Sequence, residues 1–224
     1  MNTQALIFDM DGTMIDSMPF HAQSWLEFTR RHGIAIDIAE LLRRTTGRTG
    51  TECMGELFGR PMDAARALPY VLEKEAIYRE MFAPVFAEVK GFRAFVARAR
   101  ERGLKIGVGT AGDRHNISFA MDHLQMEPAP GAIVGGDEGL PGKPEPAIFL
   151  EAAKRLQVQA SNCIVFEDAP LGIEAARRAG MRDVAICTSH SAEQLAGPHV
   201  LAAAAHYEQL LDSDFLENLH AFAA

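Results

Sequence analysis

The chain has 224 residues, 48% of them apolar, which suits one α/β domain with an insertion and excludes a disordered segment of this size. Lys and Arg number 22 against 30 Asp and Glu, a formal net charge of -8, which argues against nucleic acid as the main partner. No run approaches the ~20 apolar residues of a bilayer span, so no membrane partner is expected.

The N-terminus lacks the basic and apolar regions of a signal peptide. The cysteines Cys53, Cys163 and Cys187 form no C-x-x-C pair and suit a reducing compartment. A cytoplasmic protein is the expectation.

In chain order, Ala5-Leu6-Ile7-Phe8 reads as a buried strand. Asp9-Met10-Asp11-Gly12-Thr13 closes it, with Gly12 permitting a sharp turn. Ser17 is an N-cap candidate, with Pro19 in the first turn of a helix from Phe20 to about Ile34. Residues 37–44, 51–58 and 62–83 read as further helices, the last with an interruption expected at Pro69. Residues 16–86 thus form a helical block without a strand.

From Gly91 the pattern alternates. Helices are expected over Phe92–Arg102, 114–124, Pro144–Leu156 and Leu171–Ala179. Strands are expected over Leu104–Gly109, Ala132–Val134, Cys163–Phe166 and Val184–Ile186, and the tail from about 207 reads as mostly helical. Ala202–Ala205 is noted only as a small-residue stretch. The alternation argues for a parallel sheet with helices on both faces. In such sheets, ligands bind outside the C-terminal edge of the strands.

Four segments place chemistry at that edge. Asp9 and Asp11 lie two apart where the first strand ends: one carboxylate to attack phosphorus, the other to move the proton. The same residues also suit a plain Asp-rich turn. Thr110, with the backbone of Ala111 and Gly112, ends a strand before a helix opens. This reads equally as an anion site or as a strand end followed by an Asp113 cap. Lys143, in Gly142-Lys143-Pro144-Glu145-Pro146, offers a charge for phosphate and acids, or is a solvated surface lysine. Glu167 and Asp168 follow a buried strand; they also suit a helix N-terminus. Four acids in one cleft repel at about 4 kcal/mol per close pair for an effective dielectric near 20, so a hard divalent cation is expected.

Together these segments resemble the haloacid dehalogenase-like phosphohydrolase superfamily, in its β-phosphoglucomutase-like branch. The resemblance rests on Phe8-Asp9-Met10-Asp11-Gly12-Thr13, the strand ending in Thr110, Lys143 in its proline-flanked loop, and Phe166-Glu167-Asp168-Ala169 followed by Gly172-Ile173-Glu174-Ala175-Ala176. It implies a Rossmann-like core over residues 1–15 and 87–224, with a helical cap over 16–86. It implies Asp9 as nucleophile and Asp11 as general acid/base, with a raised pKa in the productive complex. It implies Thr110, Ala111 and Lys143 around the phosphoryl group. Mg²⁺ would be held by Asp9, Glu167, Asp168 and the backbone carbonyl of Asp11.

In the cap, Asp16, His21 and Trp25 match a β-phosphoglucomutase pattern that turns a histidine and a tryptophan to the site. Trp25 reads equally as cap core. Lys74, four residues before Tyr78, resembles a further cap lysine. The mutases carry a lysine-glycine pair and then an arginine in the loop matching Thr45-Thr46-Gly47-Arg48-Thr49-Gly50. Here Thr46 replaces the lysine and the arginine is shifted to Arg48. The expectation is therefore a Mg²⁺-dependent phosphatase of a small phosphorylated metabolite, a sugar phosphate, with a phosphomutase as the alternative. A monomer or weak dimer is expected.

Overall fold

A computed structural model describes residues 3–219. Six strands form one parallel sheet: β1 (Ala5–Phe8), β2 (Lys105–Gly109), β3 (Ala132–Val134), β4 (Cys163–Glu167), β5 (Arg182–Ile186) and β6 (Val200–Ala204), in the order β3-β2-β1-β4-β5-β6. Every pairing is parallel. The fold is α/β, as the alternation predicts.

Alternate strand residues separate the two faces. Leu6, Phe8, Ile106, Val108, Ile164 and Phe166 pack on one side, under α5 (Phe92–Glu101), α6 (Arg114–Leu124) and α9 (Tyr207–Asp212). Ala5, Ile7, Cys163 and Val165 face α7 (Ala147–Arg155) and α8 (Pro170–Arg178). Both faces of β1 and β4 are therefore apolar.

Strand order reverses between β1 and β4, and their registers align Phe8 with Phe166. The residues just beyond, Asp9 and Glu167-Asp168, stand side by side at the switch point, where open parallel sheets form their ligand crevice.

Between β1 and α5 lie α1 (Met18–Arg31), α2 (Ile38–Thr45), α3 (Gly50–Leu57) and α4 (Ala64–Phe82). They enclose a separate apolar cluster that includes Trp25, Phe28, Leu41, Met54, Leu57, Ala67 and Ile77. Local signals start these helices. Asp37 accepts from the N–H groups of Ala39 and Glu40, Thr49 and Glu52 form a reciprocal capping box, and Asp63 accepts from Arg66.

Several expectations differ from the structure. Ser17 precedes α1 but makes no cap bond, because its hydroxyl is turned to Asp11. Pro69 does not interrupt α4. The carbonyl it leaves unpaired belongs to Ala65, on an exposed face where water can satisfy it. Helix α7 begins at Ala147 rather than at Pro144, since Gly142–Glu145 closes as a turn. β6 occupies the stretch read only as small residues, and the helical tail ends at Asp212. Residues 213–218 continue as turns, and 220–224 of the expected tail lie outside the described residues.

Candidate active site

Asp9 is the first residue beyond β1. Its N–H donates to the Phe166 carbonyl at 3.0 Å, tying it to β4. Gly12 then turns the chain at φ +75°, and a Cβ there would stand 2.2 Å from Asp168 Oδ2. Glycine is needed twice over: for the left-handed backbone and for the approach of Asp168. Gly172 has a similar role in α8, where a Cβ would lie 1.8 Å from Glu167 Oε1.

Lys143 is buried beneath these acids. Its ammonium donates to Asp9 Oδ1 at 2.6 Å and to Glu167 Oε1 at 2.5 Å. Burial alone pushes the Lys143 pKa down, but the charges of Asp9 and Glu167 outweigh it and hold it above the usual lysine range. Burial likewise pushes Asp9 up, to about 7, against the pull of Lys143. Asp168 is raised well above the usual carboxylate range, by burial first and then by Glu167 and Asp9.

One lysine thus stands against three buried acids. Asp9, Glu167 and Asp168 each offer a carboxylate oxygen, all within 4.8 Å of one another. Glu167 uses Oε1 on Lys143 and Oε2 on the N–H groups of Asp168 and Ala169, both at 2.8 Å. Asp168 Oδ2 accepts from the Ser189 hydroxyl. Among the described residues no donor meets Asp9 Oδ2 or Asp168 Oδ1. Uncompensated charge and hard carboxylate oxygens with open lone pairs are what a divalent cation requires.

Asp11 is set differently. Its Oδ1 accepts from Ser17 Oγ at 2.7 Å, from His21 Nε2 at 3.0 Å and from Tyr78 OH at 3.3 Å. Lys74 Nζ lies 2.7 Å from His21 Nδ1. An ammonium can only donate, so Nδ1 accepts and the Nε2 proton points at Asp11. The Tyr78 ring stacks on His21 at 3.9 Å between centroids. Burial pushes Asp11 up, but His21, Ser17 and Lys74 together take it below the usual carboxylate value. This ionised state is opposite to the raised pKa expected for the productive complex, and it describes the site without substrate.

Thr110 is buried, and its hydroxyl accepts from the Gly112 N–H at 3.0 Å. Asp113 caps α6 through the N–H groups of His115 and Asn116, so that helix end is already occupied. Asp9, Asp11, Thr110, Ala111, Glu167 and Asp168 line one cavity of about 860 Å³ together with His21, Trp25, Arg48 and Lys74. Lys143 lies just under its floor. Arg48 lies 3.7 Å from Glu56, and Lys74 donates to Glu75 at 2.9 Å.

The helices close over the sheet edge. Arg79 Nη1 donates to Asn116 Oδ1 at 2.6 Å, and Asn116 Nδ2 donates to Glu75 Oε2 at 2.7 Å, joining α4 to α6. Ser17, Glu75, Tyr78, Asn116 and Ser189 were not among the expected site residues. Only the four-residue spacing of Lys74 and Tyr78 hinted at one of them.

Comparison with known proteins agrees with this geometry. The family model of the haloacid dehalogenase-like hydrolases matches residues 3–180. A validoxylamine A 7'-phosphate phosphatase of Streptomyces hygroscopicus subsp. limoneus is 33% identical over 196 residues, covering 87% of this chain and 91% of the relative. A fructose-1-phosphate phosphatase of Escherichia coli (strain K12) is 32% identical over 180 residues, covering 79% and 92%. Among solved structures, a HAD hydrolase of Entamoeba histolytica superposes with TM-score 0.81 at 28% identity, covering 92% of this chain and 95% of that one. A β-phosphoglucomutase of Clostridium difficile superposes with TM-score 0.84 over 99% of each chain; at 24% identity it speaks for the fold alone. Sheet order, helical insertion, buried lysine and sequence match converge: the chain belongs to the haloacid dehalogenase-like hydrolase family.

Proposed function

We propose that this protein is a Mg²⁺-dependent phosphatase of a small sugar phosphate, acting through an aspartyl-phosphate on Asp9. The observation that carries the reading is the Asp9 carboxylate. Lys143 fixes one of its oxygens, the other is free, and Asp11 stands on the same strand-end turn.

The chemistry follows from that placement. The free oxygen of Asp9 attacks phosphorus, and the bond to the sugar oxygen breaks. Asp11 delivers a proton to that leaving oxygen, then takes one from the water that cleaves the acyl-phosphate. Asp11 must first gain a proton, and the negative charge of an arriving phosphate favours that. Thr110, the Ala111 backbone and Lys143 position the phosphoryl oxygens.

Asp168 and the Asp11 backbone carbonyl would hold Mg²⁺, together with Asp9 through the oxygen it shares with Lys143, which leaves its other oxygen to attack. Glu167 can join that set through Oε1, which accepts one bond, from Lys143, and keeps a lone pair; its Oε2 is filled by two backbone N–H groups. Bound there, the ion neutralises the acids and the incoming phosphate and fixes their relative orientation. We read the helical block, residues 16–86, as a cap that shields the reacting centre from bulk water.

Two observations support water, rather than a second phosphorylated sugar, as the acceptor. Thr46 has no charge to grip a distal phosphate, and Arg48 Nη1 lies 3.7 Å from the opposite charge of Glu56. The names of the two phosphatase relatives agree.

The test is phosphate release from a panel of sugar monophosphates with Mg²⁺, with and without chelator, in native protein and Asp9→Asn. Metal-dependent release that disappears in the variant is expected. Isomerisation of glucose 1-phosphate to glucose 6-phosphate without net release would overturn the reading.

A further inference from the structure

Helix α4 turns one stripe toward the core. Residues 79, 75, 72 and 68 recur at three- and four-residue intervals and so share that face. Its C-terminal half is polar and engaged, through Arg79 and Glu75 on Asn116. Its N-terminal half is Leu72 and Leu68. Both line the cavity that holds Asp9, and both are exposed, 37% and 53%. Leu140 contributes to the same cavity from the core.

The stripe has direction. At about 1.5 Å per residue, Leu72 and Leu68 lie about 4.5 and 10 Å along α4 from Glu75. Glu75 marks the polar end, since it reaches Lys74 and Asn116, and Lys74 leads through His21 to Asp11. Along α4 the wall therefore changes from charged groups to leucine. Of the arginines that line the cavity, Arg114 is paired with Asp137 at 2.7 Å, while Arg48 lies 3.7 Å from Glu56 and its Nε meets no acceptor among the described residues. At about 860 Å³ the cavity is near the upper end of the ~300–1,000 Å³ of small-molecule sites, which leaves room for more than a bare hexose phosphate.

Resting on the phosphatase reading, the geometry points to a narrower substrate class: a phosphate monoester whose alcohol is polar beside the phosphate and carries an apolar or aromatic group at its far end, seated on Leu68 and Leu72. Removing those leucine carbons from water supplies the affinity, and the polar inner wall fixes which end enters first.

The test compares glucose 6-phosphate with phenyl β-glucoside 6-phosphate, which share the reacting end. Turnover is read as phosphate release. Binding is read separately in Asp9→Asn from the emission of Trp25, the single tryptophan and a cavity residue. The phenyl ester is expected to show a KM and a Kd lower by about tenfold or more, with kcat within about threefold. In Leu68→Asn/Leu72→Asn that preference should fall to about twofold or less. Equal constants for the two esters overturn the inference, as does a preference that survives the double variant. Turnover of both esters without preference sinks this inference and leaves the phosphatase reading standing. Preferential binding without turnover does the reverse, and the lack of both overturns both.

Discussion

The sheet buries carboxylates in two places, and the contrast is instructive. At the ends of β1 and β4, Asp9 and Glu167 share the Lys143 ammonium, and Glu167 also takes two backbone N–H groups. One strand further, Asp183 of β5 is fully buried, and among the described residues no donor meets either of its side-chain oxygens. Burial pushes its pKa well above the usual carboxylate range, and Glu167 adds to the effect. The first group is costly but compensated, and it opens on the cavity. The second is costly and uncompensated. Buried charge is therefore not in itself a sign of a reactive centre; the sign is a partner that holds the charge in place while leaving an oxygen free.

Four substitutions test this contrast. Asp9→Asn removes the proposed nucleophile and should lower phosphate release by about 10⁴-fold or more, with the fold intact by circular dichroism. Asp11→Asn should cost about 10²–10⁴-fold, the span of general acid–base catalysis; turnover near the native rate would refute the assigned role. Lys143→Met strands two buried acids and should destabilise the protein by about 3–5 kcal/mol in urea titrations.

Asp183→Val should do the opposite. It removes an unsatisfied buried group and should raise stability by about 1–3 kcal/mol at pH 8. The sign follows from linkage. A carboxyl with a raised folded pKa binds more protons folded than unfolded, so its presence lowers stability as pH rises from about 4. The gain in Asp183→Val should therefore shrink towards pH 4. Equal gains at both pH values would mean that packing, not charge, is responsible.

The same contrast shows how far the residues speak for themselves. The floor of the site was legible because Asp9, Thr110, Lys143 and Glu167-Asp168 each follow a recognisable strand or open a turn, and parallel pairing brings strand ends together. β6 was not. Val-Leu-Ala-Ala-Ala has neither alternation nor β-branched bulk beyond its first residue, and it exists because β5 offers an edge to pair with. Nothing in the sequence sets Asp183 apart, because its isolation depends on what surrounds it.

Long-range partnership was the other blind spot. His21, Lys74 and Tyr78 were each visible, yet their meeting on Asp11 joins residues 10, 53 and 67 positions apart. Ser17 was misread for a related reason. A serine before a helix usually caps it, but here the nearby carboxylate is the stronger acceptor.

That meeting has a consequence for how new specificities arise on this scaffold. Asp11 is anchored on the sheet, but the hydroxyls and the imidazole that set its proton affinity come from Ser17 and from α1 and α4. A change of roof, whether by recombination or by grafting, therefore delivers a different pocket and a differently tuned Asp11 in a single step. Selectivity and the working pH range are inherited together.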